Sequence, residues 1–355
     1  MIENRLKINL LNLSFIIIKL SVTFLLISLV IVLLGASPIE VMESIIYGAF
    51  GKPQKITKTL LIWAPIALAS LALLITFSAG LWNIGIEGQI IAGSIGATII
   101  ARSALGESFA SPYIQIFIGL IFGGLWGLLC GFLRVKFNVH EIFGGLGLDF
   151  VASGLIVYLI IGPWKRAGIA STSGTDIFPD ASWFSTIGKY NFQIIPLILV
   201  IASFVIIFIL IKYTNLGLKL RATGINPSST SRYKINSSLY FYYAFAIAGA
   251  LAGIAGVIQA TGFHHKLVPA ISGGYGFLSI LIVLASSRNP VITMILSFFF
   301  ASMIAGGSQL QLRLDLHSSM ISIILSSIVL IWLVMRSQYV NNIFNKITSR
   351  LNLEK

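Results

Sequence analysis

Of the 355 residues, 57% are hydrophobic and only 10% charged, with a mean hydropathy of +0.95. A soluble domain carries about 25% charged residues, so this chain cannot build a surface that faces water throughout, and lipid is its solvent over much of its length. The net charge of +13 does not mark a nucleic-acid binder, because the basic residues are scattered through loops, where Lys and Arg orient a membrane protein and meet anionic lipid.

In a bilayer only helices and closed barrels satisfy the backbone. The long unbroken apolar runs select helices. Ten apolar segments are predicted, near residues 15–35, 60–80, 84–101, 113–133, 142–161, 194–212, 239–260, 273–287, 290–306 and 318–335. Several are nearer 17 residues than 20, short enough to be tilted, broken or partly re-entrant. The first is too long for the apolar part of a signal peptide and reads as a retained helix, with Lys19 reaching back to the near headgroups. With the N-terminus in the cytoplasm, 15 Lys and Arg fall inside and 9 outside, which places both termini inside. Lys52, Lys55 and Lys58, between the first two segments, go against that bias.

Two polar stretches interrupt the pattern. Residues 162–193, rich in Gly, Ser, Thr and Asp, fall outside and have the length of a functional loop, such as a cap over a pore mouth. Residues 213–238 fall inside. There Asn226-Pro227 supplies a helix N-cap followed by proline at the first helical position, so a short helix is expected over about 227–233, between Gly217, Gly224 and a basic end. Such a helix between two spans suits contact with another protein as well as it suits an ordinary polar loop.

No motor or enzyme motif is present. The phosphate-binding pattern GxxxxGK[ST] is absent, as are G-x-S-x-G, H-E-x-x-H and paired cysteines. Cys130 is the single cysteine, which excludes an intrachain disulfide and a cysteine-based metal site. His264, His265 and His317 are too few and too separated for a ligand set.

Polar residues at membrane depth are therefore the functional candidates, since each costs about 2.5–3.5 kcal/mol there. Glu87 lies within Asn83-Ile84-Gly85-Ile86-Glu87-Gly88-Gln89. Its flanking glycines allow either close packing, with the carboxylate bonded to a neighbouring helix start, or an unwound turn that meets a solute. Glu141 and Asp149 flank Gly144-Gly145-Leu146-Gly147, about two turns apart on one helix face. Ser272-Gly273-Gly274-Tyr275-Gly276-Phe277 opens the eighth segment and Gly306-Gly307-Ser308-Gln309 follows the ninth. The glycines suit tight crossings, and Phe277 could stack on a ring-shaped solute.

Taken in order, NIGIEGQ, FNVHEIFGGLGLDF, GLKLRATGINP, GALAGIAG, GGYGF and GGSQ resemble the permease subunits of ATP-binding cassette importers, most closely the nucleoside and simple-sugar branch that works with basic membrane lipoproteins. The resemblance covers about 40–335, and NIGIEGQ is its most specific part. It implies an all-α polytopic bundle of about ten helices, of the type II importer kind, as a single domain with an inverted repeat between spans two to five and seven to ten. It implies a dimeric pore with a second permease (a paralogue or the same chain), a cytoplasmic ATPase carrying ATP and Mg, an external binding lipoprotein, and the bacterial cytoplasmic membrane. Asn83, Glu87, Gln89 and Glu141 match its motifs residue by residue, and with Asp149, Phe277 and Gln309 they are the residues expected along the substrate pathway. Gly217, Arg221, Gly224, Asn226 and Pro227 match its ATPase-coupling loop.

The chain departs from the pattern at Leu278, where an acid is usual, at Asp149, where Asn is usual, and at Ala285-Ser286-Ser287, where a glycine is replaced. Two further readings stand beside this one: an ion-gradient-driven transporter or channel with Glu87 and Asp149 carrying protons, and a membrane scaffold or enzyme. Within the importer reading, a branched-chain amino acid or another small polar solute is the alternative cargo.

Overall fold

A computed structural model describes residues 18, 21–166, 168, 172–315, 320–335 and 337. The N-terminal charges with Lys19, and the tail from 336 apart from Ser337, lie outside the described residues. The rest is almost entirely helical, with one two-stranded antiparallel hairpin, β1 (Thr186–Ile187) paired with β2 (Phe192–Gln193).

Each of the ten predicted segments meets an apolar helix, but only six helices reach spanning length among the described residues. These are α3 (Pro53–Ser78), α5 (Ser111–Lys136), α6 (Glu141–Ile161), α7 (Ile194–Tyr213), α10 (Ser237–Val257, continued by a π-helical turn Ile258–His264) and α12 (Pro290–Leu314). Three are shorter: α4 (Ile86–Ala101), α11 (Tyr275–Ala285) and α13 (Met320–Met335). The first segment gives α1 (Ser21–Leu33), which meets α2 (Pro38–Phe50) at a 99° bend, and the pair counts as a seventh span if taken as one. The bend has a local cause. Gly35 sits at φ +80°, and Pro38 then opens the next helix. Glycines also limit α4 and α11, whose N-caps are Gly85 and Gly274.

The chain divides into two compact units, residues 52–301 and residues 1–51 with 302–355. In the larger one, α3 is apolar all round and mostly buried, as a central helix must be. Helix α10 packs on α3, α4 and α5. The α5–α10 crossing is made by glycines four apart: Gly119, Gly123 and Gly127 meet Gly249 and Gly253 backbone to backbone, and a Cβ on Gly123 would overlap the Gly249 carbonyl. Without a hydrophobic drive between helices in lipid, this close approach supplies the packing energy. Helices α5, α6 and α7 keep large apolar faces outward, among them Phe117, Phe150 and Ile206, as lipid-facing or partner-facing helices do.

The polar stretch after α6 is pinned to the bundle. Ser182 Oγ donates to the Gly106 carbonyl at 2.7 Å, Gln115 Nε2 donates to the Ser182 carbonyl at 3.2 Å, and the Phe178 N–H donates to the His265 carbonyl at 2.8 Å. Trp183 stacks on His265 with ring centroids 4.0 Å apart. In the smaller unit α2 crosses α12 where Gly48 meets Gly306, and Arg313 lies over the Tyr47 ring at 4.2 Å.

Candidate functional site

The start of α4 concentrates the polar residues of the larger unit. After α3 the chain turns at Gly80 (φ +74°) and runs through Asn83 into α4. Asn83 and Gln89, both buried, exchange two amide hydrogen bonds of 3.1 and 3.0 Å, which satisfies each across the first turn of the helix.

The first N–H groups of any helix lack an internal partner, and a Ser, Thr, Asp or Asn N-cap normally supplies one. Glycine is the N-cap of α4 and of α11, so neither helix has a capping side chain of its own. Both are capped from elsewhere. Asp149, on α6, accepts from the Gly88 N–H at 2.7 Å. Glu87, on α4, accepts from the Phe277 N–H of α11 at 3.0 Å. Each carboxylate thus meets the positive end of a neighbouring helix, where a buried anion is best tolerated. The three helices form a relay in which α6 caps α4 and α4 caps α11.

Close backbone approach makes the relay sterically feasible. Gly85 and Gly145 touch, and a Cβ on Gly276 would fall 2.9 Å from Glu87 Oε1. Asp149 Oδ2 and Trp126 Nε1 are buried without a hydrogen-bond partner among the described residues. Glu141 lies on the same buried face of α6 as Gly145 and Asp149, and its Oε2 is 3.0 Å from Arg134 Nε. The Phe277 ring is half exposed although its N–H is engaged. Gln309 belongs to the other compact unit, where it packs at Gly48.

The segment after α7 holds two helices, α8 (Asn215–Ile225) and α9 (Pro227–Arg232). Thr214 caps α8 by accepting from the Gly217 N–H at 3.1 Å, and Asn226 caps the next turn by accepting from the Ser229 N–H at 3.0 Å. The expected helix at 227–233 is therefore present, and α8 is an addition to it. A side chain on Gly217 would collide with the Leu210 carbonyl, so glycine is needed for the corner between α7 and α8. Gly224 presses on the turn that follows α3: its Cβ would overlap the Ser78 carbonyl and fall 2.8 Å from Gly80 N. Arg221, Leu218, Ile225 and Tyr233 remain exposed.

The sequence alone does not mark Gly80 or Gly145 as site residues, or Gly274 as an N-cap that leaves α11 to be capped by Glu87. A glycine at the head of an apolar helix with no capping side chain was the available signal, since it means that the cap comes from another element.

Comparison with known proteins places this helical bundle among membrane transport permeases. Residues 55–335 match the family described as branched-chain amino acid transport system / permease component, and the chain belongs to that family. It is 26% identical over 316 residues to the glucose ABC transporter permease protein TsgB13 of Haloferax volcanii, covering 84% of this chain and 81% of that one. It is 27% identical over 294 residues to the nucleoside ABC transporter permease protein NupB of Lactococcus lactis, covering 80% of each. To the guanosine ABC transporter permease protein NupP of Bacillus subtilis it is 24% identical over 288 residues, covering 80% of this chain and 82% of that one.

Proposed function

We propose that the chain is the membrane-spanning half of an ATP-driven importer that takes up a nucleoside or a simple sugar. An external lipoprotein delivers the solute, and a second permease completes the pore. A cytoplasmic ATPase binds ATP and Mg and acts on the segment 213–238, with Gly217, Arg221, Gly224, Asn226 and Pro227 forming its coupling surface. The membrane is the bacterial cytoplasmic membrane, with both termini inside, and the permease works as a single domain by alternating access.

The observation that carries the reading is the contact between Gly224 and the turn at Ser78–Gly80. That turn leads directly into Asn83, Glu87 and Gln89, so a displacement of α8 is transmitted to the start of α4 and, through Glu87, to α11. In this reading Asn83, Glu87, Gln89, Glu141, Asp149, Phe277 and Gln309 border the pathway. The carboxylates act by holding helix starts that move together, and Phe277 offers its exposed ring to a base or a sugar face. The choice of cargo follows the three relatives, whose names specify glucose, nucleosides and guanosine. The family description names branched-chain amino acids, which makes leucine the control solute.

The test is uptake of radiolabelled guanosine, glucose and leucine into proteoliposomes that hold the permease pair and the ATPase, with the lipoprotein outside and ATP inside. Uptake of guanosine or glucose that needs all components is the expected result. Uptake of leucine alone would overturn the assignment of cargo.

A further inference from the structure

A separate cavity of about 340 Å³ lies at one end of α3 and α7, within the larger unit and away from the capping relay. Its wall is graded. Thr57, Lys58 and Lys189 give it a polar edge, and Leu60, Leu61 and Leu197, further into the two spans, give it an apolar floor. Among the described residues that line it are two lysines and no carboxylate.

The wall is built rather than incidental. Gln193 Nε2 donates to the Gly262 carbonyl at 2.9 Å, which fixes the hairpin to the π-helical turn, and Thr57 Oγ1, whose shorter bond is to the Gln54 carbonyl at 2.8 Å, also lies 3.2 Å from the Tyr190 carbonyl of the hairpin. Asn191 and His265, both lining the cavity, have φ of +52°, a conformation that costs energy and persists where the surroundings impose it. The adjoining π-helical turn is itself a feature frequently found at functional positions. Among the described residues Gln193 Oε1 is buried without a hydrogen-bond partner, an expense not expected of a simple packing seam.

Position and charge together select the ligand. The cavity opens at the ends of two spanning helices, the depth at which headgroups lie, with cations at its rim and hydrocarbon side chains toward the bilayer interior. Lys58 and Lys189 both count among the nine charges expected on the far side. A neutral solute gives them no work to do, whereas an anion does. We propose that this cavity binds an anionic phospholipid, with the phosphate between Lys58 and Lys189 and the start of the acyl chains against Leu60, Leu61 and Leu197. Bound lipid then ties the hairpin to the ends of α3 and α7.

The full chain in phosphatidylcholine nanodiscs, titrated with phosphatidylglycerol and read by mass spectrometry of the lipid retained on the protein, tests this. The wild-type chain is expected to retain phosphatidylglycerol in preference to phosphatidylcholine. K58A/K189A weakens that retention by about thirtyfold, two lysines at about 1 kcal/mol each, and K58R/K189R restores it. Retention unchanged in K58A/K189A overturns the proposal, as does intact lipid retention with lost association of the external binding protein, which would assign the lysines to docking. Free glycerol phosphate, titrated against the wild-type chain, requires no variant to fold. Displacement of the lipid by it at matching concentration would make a soluble phosphate ester the ligand and overturn the lipid source.

Discussion

Asp149 and Glu87 are costly residues for the membrane, and each is matched to a specific deficit. The N-cap of α4 and that of α11 are glycines, so the Gly88 and Phe277 N–H groups would otherwise be orphaned. The bond, rather than the charge alone, is what Asn would share with Asp149 at this position, since either side-chain oxygen can accept from the Gly88 N–H. Asp149→Asn is therefore expected to keep the thermal unfolding midpoint in detergent close to that of the parent. Asp149→Ala should lower stability by about 0.5–2 kcal/mol, the usual cost of a lost cap. An equal loss in the two variants would contradict the capping role. Glu87→Gln and Glu87→Ala should separate in the same order, with uptake falling more in the alanine variant. That these acids mattered was legible in the sequence, because a carboxylate in an apolar run is rarely idle. Their partners were not, because the acceptor lies 61 residues from its donor in one bond and 190 in the other.

Two helix contacts depend on glycine for different reasons. At the α5–α10 crossing, Gly123 and Gly249 let the backbones touch over the length of the interface. Gly123→Leu should cost about 1–3 kcal/mol by overpacking and appear as lost expression or a lowered unfolding midpoint. At the end of α8, Gly224 rests on the turn after α3. Gly224→Val is expected to leave the bundle folded, because α8 sits at its edge, while ATP hydrolysis and uptake become uncoupled in the reconstituted transporter. Normal coupling in that variant would remove the transmission route. Reading the long apolar runs marks every helix of spanning length among the described residues, and Asn226-Pro227 gives the start of α9 through capping chemistry alone. It passed over α2, whose apolar residues alternate with Glu40 and Glu43, and α8, whose exposed face carries Lys219 and Arg221. Apolar runs identify helices that lipid surrounds, and they overlook helices with a polar face. The short lengths of α4 and α11 were hinted at by their glycines, but the chain paths that end them depend on tertiary contacts.

For the whole molecule, composition demands a membrane and the family supplies a permease. The sequence carries no GxxxxGK[ST] motif, and the proposed importer takes its ATP from a partner chain. If the ATPase grips 213–238, substitution of exposed Arg221 should release it during co-purification while leaving the permease intact, and retention would point to another contact. In the proposed importer, solute moves only when driven by ATP hydrolysed on a partner chain. This is tested by uptake into proteoliposomes prepared with and without the partner ATPase, each given either internal ATP or an imposed proton gradient. Accumulation is expected only with ATPase and ATP together. Accumulation by vesicles that contain the permease and a proton gradient but no ATPase would contradict it.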